Sequence, residues 1–255
     1  MSDKPKHRWY QFSLKTLLVG MTVLCIGPGG YVAYEQAKAR REKAAVEAIE
    51  KLGGKVVLNE KVPLRSASAR QILGDDRYRA VHRLEVDSSF RASSEEMTQL
   101  SSFTHIEGLW LVKTQVTDAG LVRVSRLKTI KNLWLDNTHV TDAGIQVISG
   151  LPELEFISVD NTHVGDAGLR HLSGLRKLTG LSLCNTLVTD AGLMHFSGLT
   201  ELTGLDLSHT RVTDSGIKHL YNLKKLQDLL LDRTQVTDAG VAELQKALPN
   251  CKIVR

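Results

Sequence analysis

Histidine and cysteine are the residue types whose spacing in this sequence has a chemical meaning. His171, His195 and His219 recur every 24 residues, and the same interval separates His139 from His163. A metal site needs three or four ligands within about 2.0–2.3 Å of one point, whereas equivalent positions of a repeated structure form a line. The sequence therefore predicts solvent-exposed histidines at repeated positions and no metal site.

The three cysteines are Cys25, Cys184 and Cys251, which is too few for a disulfide scaffold or a multi-cysteine zinc module. Cys184 and Cys251 differ in register and lie almost three repeats apart, so strands stacked about 4.8 Å apart would hold them too far apart to pair. The sequence also contains no phosphate-binding loop, dinucleotide fingerprint, G-x-S-x-G or H-E-x-x-H motif. We therefore expect no enzyme activity and no cofactor.

An internal repeat of 24 residues is the strongest pattern in the chain. Val-Thr-Asp-Ala-Gly or a close variant occurs six times, and a threonine stands six residues before each glycine of this motif. Each unit reads L-x-x-L-x-L-x-x-T-x-V-T-D-A-G-L-x-x-L-x-x-L-x-x. Six copies in one register predict a stack of similar units that share one core.

Each unit predicts a short strand, a turn and a helix. The L-x-L alternation points two side chains inward, so strands of successive units pair in parallel and form two apolar columns, one from Leu109 to Leu229 and one from Leu111 to Leu231. The threonine column is expected to bond the turn backbone. Thr-Asp is typical of a helix start. The helices are expected to end in the left-handed conformation at Gly150, Gly174, Gly198 and Asn222.

This pattern resembles that of leucine-rich repeat proteins, and it is similar to a bacterial class with the signature T-x-V-T-D-x-G-L. The resemblance implies an α/β fold over residues 83–255: a right-handed leucine-rich-repeat solenoid with a parallel concave sheet and short convex helices. A degenerate first unit begins at Leu84, and the last strand is Ile253–Arg255. Residues 35–82 are expected to form a linker helix and an N-terminal cap that includes a strand at Val56–Leu58.

The N-terminal region predicts a membrane anchor. The net charge of +5 lies entirely within residues 1–43, so the rest of the chain is formally neutral and has no general field that would attract nucleic acid. Residues 1–15 form a basic tail, and residues 16–34 carry no charge and would span about 28 Å as a helix. The tail includes the start of a stretch, Phe12–Leu18, that resembles an anchor of bacterial membrane proteins.

These features predict a single-pass membrane protein whose transmembrane helix at residues 16–34 places residues 35–255 on the extracytoplasmic side. A cleaved signal peptide is one alternative, because Ala37-Lys38-Ala39 is a small-x-small site. A buried core helix is the other.

The concave face is the predicted binding site. Trp110 and Trp134 should be neighbours on this face, close to Phe156, and such aromatics are typical of binding hot spots. Nearby carboxylates would favour a basic or polar protein partner. These carboxylates belong to Asp136, Asp160, Asp206 and Asp232. An alternative is that residues 59–82, with a short helix near Ala67–Leu73, fold back and cover the tryptophans.

Taken together, the sequence predicts a membrane-anchored module that binds a protein partner on its concave sheet face. Two other functions stay open. The repeats resemble those of substrate-recognition subunits of ubiquitin ligases, which a pull-down of ligase components would test. The chain is alternatively an envelope structural protein that self-associates, which light scattering would test.

Overall fold

The computed structural model describes residues 28–51, 54–58, 81–86, 94–103 and 106–255. The predicted anchor upstream of Pro28 and the predicted helix near Ala67–Leu73 lie outside these residues. The strands are β1 (Gly54–Leu58), β2 (Val81–Val86), β3 (Gly108–Trp110), β4 (Asn132–Trp134), β5 (Phe156–Ser158), β6 (Gly180–Ser182), β7 (Gly204–Asp206), β8 (Asp228–Leu230) and β9 (Lys252–Val254). The α-helices are α1 (Pro28–Lys51), α2 (Ser94–Leu100), α3 (Asp118–Val124), α4 (Asp142–Ile148), α5 (Asp166–Leu169), α6 (Asp190–Leu193), α7 (Asp214–Ile217) and α8 (Asp238–Ala247). Short 3-10 segments follow α5, α6 and α7 at Leu172–Gly174, Met194–Gly198 and Lys218–Leu220.

The nine strands of the described residues form one sheet in chain order. β1 pairs with β2 in antiparallel fashion, and every later pair is parallel. Each strand is shifted from the next by one 24-residue unit, so Leu109 pairs with Leu133 and Leu133 with Ile157. Because strands stack about 4.8 Å apart and packed helices need about 8–10 Å, the sheet lies on the concave side of the stack.

The core is a continuous aliphatic stack, as the repeat pattern predicts. Both inward columns are buried along the sheet, and Met97, Leu100, Phe103 and Ile106 extend the core into the degenerate first repeat. The threonine column is confirmed as well. Each of its hydroxyls donates to the carbonyl oxygen three residues earlier at 2.6–2.7 Å, which satisfies backbone acceptors in the turn.

The prediction of left-handed helix ends is wrong. Gly150, Gly174, Gly198 and Asn222 have φ outside the left-handed region, and Ser149, which follows the last residue of helix α4, has φ −60°. The left-handed residues instead directly precede the buried threonines, where the chain turns sharply after each strand. They are Lys113, Asn137, Asn161, Asn185, His209 and Arg233, with φ between 53° and 59°. Asparagine tolerates this conformation better than most residues because its side chain bonds locally.

The aspartate of each Thr-Asp pair links two repeats. In the clearest case Asp166 accepts from the backbone N–H of Thr189 at 2.8 Å and from its hydroxyl at 2.6 Å, one carboxylate oxygen for each donor. The same link, which we call the aspartate bridge, joins four further pairs of repeats. These pairs are Asp118–Thr141, Asp142–Gly165, Asp190–Thr213 and Asp214–Thr237. Sequence reasoning assigned these residues only to the start of their own helix.

The aspartate bridge explains the glycine of the repeated motif. A Cβ atom at Gly192 would lie 2.6 Å from Asp166 Oδ1 and 2.8 Å from Leu169 Cδ1. Gly168 has the same relation to Asp142, with 2.6 Å to the Oδ1 atom. Glycine in a helix normally costs about 1 kcal/mol relative to alanine. It is retained here because the carboxylate of the preceding repeat occupies the space of a side chain.

Gly165 is the one position where the aspartate bridge lacks its hydroxyl. Its N–H donates to Asp142 at 2.7 Å, its φ is −129°, and a Cβ would have no neighbour closer than 3.6 Å. We expect Gly165→Thr to raise the free energy of unfolding by about 1 kcal/mol, because a hydroxyl would bond the second carboxylate oxygen. Chemical denaturation would measure this change in the free energy of unfolding. Gly165→Val, which has the same shape without the hydroxyl, is the control, and equal stability of the two variants would contradict the prediction.

The N-terminal cap contains α1 and β1. Helix α1 begins at Pro28, a favourable first helical residue because proline already has helical φ and lacks an N–H that would have no partner there. The helix packs against β1 and α2 and buries Ala45 and Ile49. No helix among the described residues is both long and apolar enough to span a bilayer. The anchor at residues 16–34 therefore stays a prediction.

Candidate functional site

Three columns of side chains cover the concave face between β3 and β8. Strand pairing puts each residue beside its counterpart 24 positions later. Trp110 therefore lies beside Trp134 in one column, and Asn132 lies beside Phe156 in the column next to it. The columns are Gly108, Asn132, Phe156, Gly180, Gly204 and Asp228; Trp110, Trp134, Ser158, Ser182, Asp206 and Leu230; and Val112, Asp136, Asp160, Cys184, Ser208 and Asp232.

Trp110, Trp134 and Phe156 form a continuous stack, which we call the aromatic ladder. The centroids of the two tryptophan rings are 3.9 Å apart with planes inclined by 13°, and the Trp134 and Phe156 centroids are 4.8 Å apart. The sequence predicts exposed aromatics here. The structure has them half-buried, because each ring covers part of its neighbour.

Glycines beside the aromatic ladder leave room for its rings. A Cβ at Gly108 would lie 2.7 Å from Trp110 Cη2, and one at Gly180 would lie 2.6 Å from Phe156 Cδ2. The two rings therefore lie flat over neighbouring backbone instead of projecting freely. Such packing fixes their orientation before any partner arrives.

Arg83 extends the aromatic ladder at its N-terminal end. Its guanidinium carbon lies 3.7 Å from the centroid of the Trp110 ring, and Nη2 is 3.5 Å from Glu85 Oε2. Sequence reasoning missed this contact. The available signal was register: Arg83 directly precedes the inward Leu84 and pairs with Gly108, so it belongs to the concave face.

Asp136 and Asp160 are held in place by bonds across the repeats. Asp136 Oδ1 accepts from the Ser158 hydroxyl and from the Asp160 N–H at 3.0 Å. Asp160 Oδ1 accepts from the Ser182 hydroxyl at 2.6 Å and from the Cys184 N–H at 2.9 Å. Both carboxylates thus use one oxygen internally. Among the described residues, nothing donates to either Oδ2 atom.

The aspartates of this face interact electrostatically with one another. Burial raises the pKa of Asp160, and the negative charges of Asp136 and Asp206 raise it further against the lowering effect of its hydrogen bonds. Asp206 Oδ1 accepts from the Ser208 N–H at 2.8 Å, and Asp232 is half-buried at the end of its column. The four predicted aspartates therefore share one negative surface.

Cys184 lies among these aspartates, and their negative charges affect the pKa of its thiol. Burial raises the pKa of its thiol to about 11, and the carboxylates of Asp206, Asp160, Asp136 and Asp232 add to the effect in that order. A thiolate in this column would be placed against four negative charges.

We expect iodoacetamide to alkylate Cys184 about tenfold more slowly at pH 8 than an unperturbed cysteine, because the raised pKa lowers the thiolate fraction and the greater nucleophilicity of the more basic thiolate offsets only part of that loss. Asp206→Asn should increase the alkylation rate, because Asp206 makes the largest charge contribution to the raised pKa of the thiol. Mass spectrometry of the Cys184 peptide would measure both rates. An unchanged rate in Asp206→Asn would contradict the electrostatic assignment, and Asp238→Asn on the far side of its repeat is the control.

The repeated histidines take part in surface contacts. His139 Nε2 is 3.1 Å from Gln115 Oε1, and His171 Nε2 accepts from Arg170 Nε at 3.1 Å. In the part of the chain that the structure describes, no three His, Cys, Asp or Glu side chains are grouped to hold a metal ion. Cys184 and Cys251 are unpaired.

Comparison with known proteins identifies the fold. No protein family matches the sequence, and no curated protein does. Among solved structures, internalin C2 of Listeria monocytogenes is similar with a TM-score of 0.52 and 22% identity, over 68% of this chain and 81% of that one. A leucine-rich-repeat protein of Leptospira interrogans is similar with a TM-score of 0.50 and 21% identity, over 65% of this chain and 40% of that one. The repeats of this chain have the leucine-rich-repeat fold of these two bacterial proteins.

Proposed function

We propose that this chain is a non-catalytic module that binds another protein with its concave sheet face. The observation that carries the proposal is the aromatic ladder, a half-buried stack of three rings at the N-terminal part of this face. Stacked aromatic side chains supply a large contact area at low entropic cost, and they are enriched in binding hot spots. The leucine-rich-repeat likeness supports a role in protein interaction.

The geometry of the site favours rigid presentation over chemistry. The rings are fixed by stacking and by the glycines beneath them, and Asp136 and Asp160 are oriented by bonds from the neighbouring repeats. A surface that is ordered before binding loses little conformational entropy when a partner docks. This arrangement suits a protein partner of complementary shape and charge.

We further propose that residues 16–34 anchor the module in a membrane and hold the repeats on the extracytoplasmic side. The support is the uncharged length of this segment and the basic residues on both sides of it. The full chain should resist alkaline carbonate extraction of membranes, whereas a chain that starts at residue 35 should be released. Release of both would contradict the anchor.

Site-specific photocrosslinking of the full chain in its native membrane tests the binding face. A Cβ atom at Gly204 on the concave face or at Gly174 on the convex face would have no heavy atom within 4 Å, so a benzophenone side chain can be attached at either position. We expect a crosslinked protein from position 204 and none from position 174.

The double variant Trp110→Ala/Trp134→Ala should remove the adduct formed at position 204. Its thermal stability should change little, because the two rings pack on each other, Arg83, Phe156 and the backbone at Gly108 on the surface of the sheet, outside the buried core. Equal adducts from both faces, or an adduct that survives loss of both tryptophans, would refute the proposed site.

A further inference from the structure

We propose that the convex side of the repeats lies against an anionic membrane surface, with basic side chains on the phospholipid headgroups and two apolar side chains among them. The contact surface is the region where each convex helix ends and the chain returns towards the next strand. The inference rests on the proposed membrane anchor and extends membrane contact from the N-terminal segment to the repeats.

This surface carries a local excess of positive charge, which we call the basic stripe. It consists of six equivalent stretches, namely residues 122–129, 146–153, 170–177, 194–201, 218–225 and 242–249. These stretches contain ten Lys or Arg residues and three Glu residues, whereas residues 44–255 as a whole are formally neutral. Of the ten basic residues, only Arg123 is half-buried, and the others are exposed. The positive charge is therefore concentrated here and accessible from outside.

Most of this charge is not neutralised within the protein. Lys177 and Lys225 pair with Glu153 and Glu201 at 2.6 Å. Among the described residues, no carboxylate pairs with the other eight basic side chains. A helix dipole favours basic residues at the end of a helix, but the stretches at α4 and α6 contain none. Helix stability alone therefore does not explain the basic stripe.

The negative charges of the convex helices lie at the opposite end of each helix. Asp118, Asp142, Asp166, Asp190 and Asp214 begin helices α3–α7, and each accepts from a backbone N–H group of the next repeat. These carboxylates are thus directed at the neighbouring repeat. The basic stripe can approach an anionic surface without bringing them onto it.

Exposed apolar side chains within the basic stripe favour lipid over nucleic acid. Val122 is 45% exposed and Met194 is 54% exposed, and both occupy the first position of their stretch. Arg170 and Lys218 occupy the same position in two other stretches. Surfaces that lie in a membrane interface combine basic residues with apolar side chains that enter the headgroup region, whereas contacts with nucleic-acid phosphates require only the charges.

The N-terminal helix would hold the basic stripe close to a bilayer. Helix α1 begins at Pro28, within the predicted anchor, and continues to Lys51, and it buries Ala45 and Ile49 in the core. Its stretch from residue 35 to residue 44 spans about 15 Å, which is within two Debye lengths of about 8 Å. Tethering at this distance lets weak contacts of individual basic residues act together. The concave face then points away from the bilayer and stays open to a protein partner.

Photocrosslinking to lipid tests the proposal on the full chain reconstituted in vesicles. Gly174 lies in the basic stripe and Gly204 on the concave face, and a Cβ at either would have no heavy atom within 4 Å. With a benzophenone side chain at position 174, we expect a phospholipid adduct in vesicles of phosphatidylcholine and one-third phosphatidylglycerol. The yield, measured by mass spectrometry of the labelled peptide, should be about tenfold lower in phosphatidylcholine alone. It should also be about tenfold lower at position 204 in either lipid.

Charge variants separate the basic stripe from positive charge in general. Arg126→Gln/Arg176→Gln/Lys218→Gln removes one charge from each of the three most basic stretches and should lower the adduct yield at position 174 about tenfold. At about 1 M salt, where the Debye length falls to about 3 Å, the adduct should be lost while the apolar anchor keeps the chain in the vesicles.

The matched control removes three exposed basic charges outside the basic stripe. Lys113→Gln/Arg211→Gln/Arg233→Gln changes the turns that follow the strands and should leave the yield at position 174 unchanged. Equal losses in the two triple variants, or equal yields with and without phosphatidylglycerol, would overturn the proposal.

The remaining outcomes distinguish the anchor, the basic stripe and a different ligand. A chain that does not float with the vesicles would reject the anchor and, with it, this inference. A floating chain that gives no lipid adduct at position 174 would reject only the membrane contact of the repeats. Binding of a labelled DNA duplex by that floating chain would assign the basic stripe to nucleic acid and overturn the proposal.

Discussion

Replacing Gly192 by alanine is expected to lower the free energy of unfolding by about 3 kcal/mol. The new methyl group would lie 2.6 Å from Asp166 Oδ1 and 2.8 Å from Leu169 Cδ1. The leucine tip can rotate away, but the carboxylate can move only by giving up its bonds to Thr189. At roughly 2–4 °C per kcal/mol, the melting temperature should fall by about 6–12 °C.

Gly120→Ala is the matched control for this prediction. Gly120 occupies the same motif position, but the preceding helix α2 begins at Ser94 instead of an aspartate. The heavy atoms nearest to a Cβ there would belong to Met97 and Val116 at 3.7–3.8 Å, which is ordinary packing distance. This variant should be neutral or more stable by up to about 1 kcal/mol, because alanine favours a helix. Similar losses in the two variants would show that the aspartate bridge is not the cause.

Asp166→Ala is expected to cost about 3 kcal/mol as well, since it removes two hydrogen bonds to a charged acceptor and leaves the Thr189 N–H without a partner. Thr189 also caps helix α6, where its hydroxyl accepts from Ala191 N–H at 3.3 Å. Loss of the carboxylate therefore loosens the start of the next helix. Asp166→Asn keeps an acceptor for the backbone N–H and should lose about half as much.

The two substitutions should be strongly non-additive when combined. Once Asp166 is alanine, the atom that blocks a side chain at position 192 is gone, and the second change costs little more. We expect Asp166→Ala/Gly192→Ala to lose about 4 kcal/mol where the single variants sum to about 6, a coupling of about 2 kcal/mol. Chemical denaturation of all four proteins would measure this cycle. Simple additivity would refute the assignment of Gly192 to the aspartate bridge.

Much of the fold could be predicted because the same 24-residue pattern occurs six times in the sequence. Inward positions such as Leu109 and Leu133, the buried threonines and the register that brings Trp110 beside Trp134 all follow from one 24-residue interval. Successive side chains of a strand point to opposite faces of the sheet, so the register of a strand also determines which of its side chains face the core. The proximity of the aromatics on the concave face follows from the same rule.

The features that sequence reasoning missed depend on contacts between repeats or on the local shape of a turn. Asp166 looks like a helix-starting residue within its own unit, and only the stack brings Thr189 within reach of its carboxylate. The left-handed position was placed at the helix ends because glycine is common there, whereas the sharp turn lies before the buried threonine at Asn161 and its equivalents. Arg83 lies in a degenerate unit, where the interval gives no guide to side-chain packing.

The aspartate bridge has a direction, because the acceptor always belongs to the earlier unit and the donors to the later one. Each segment from helix α4 to helix α7 therefore supplies a donor to the segment before it and an acceptor to the segment after it. Duplication or deletion of a whole 24-residue segment keeps the aspartate bridge at every contact between segments. Insertion or deletion of any other number of residues breaks at least one of these bridges. The same bond that stabilises the stack thus makes its length adjustable through gene duplication in whole-segment steps.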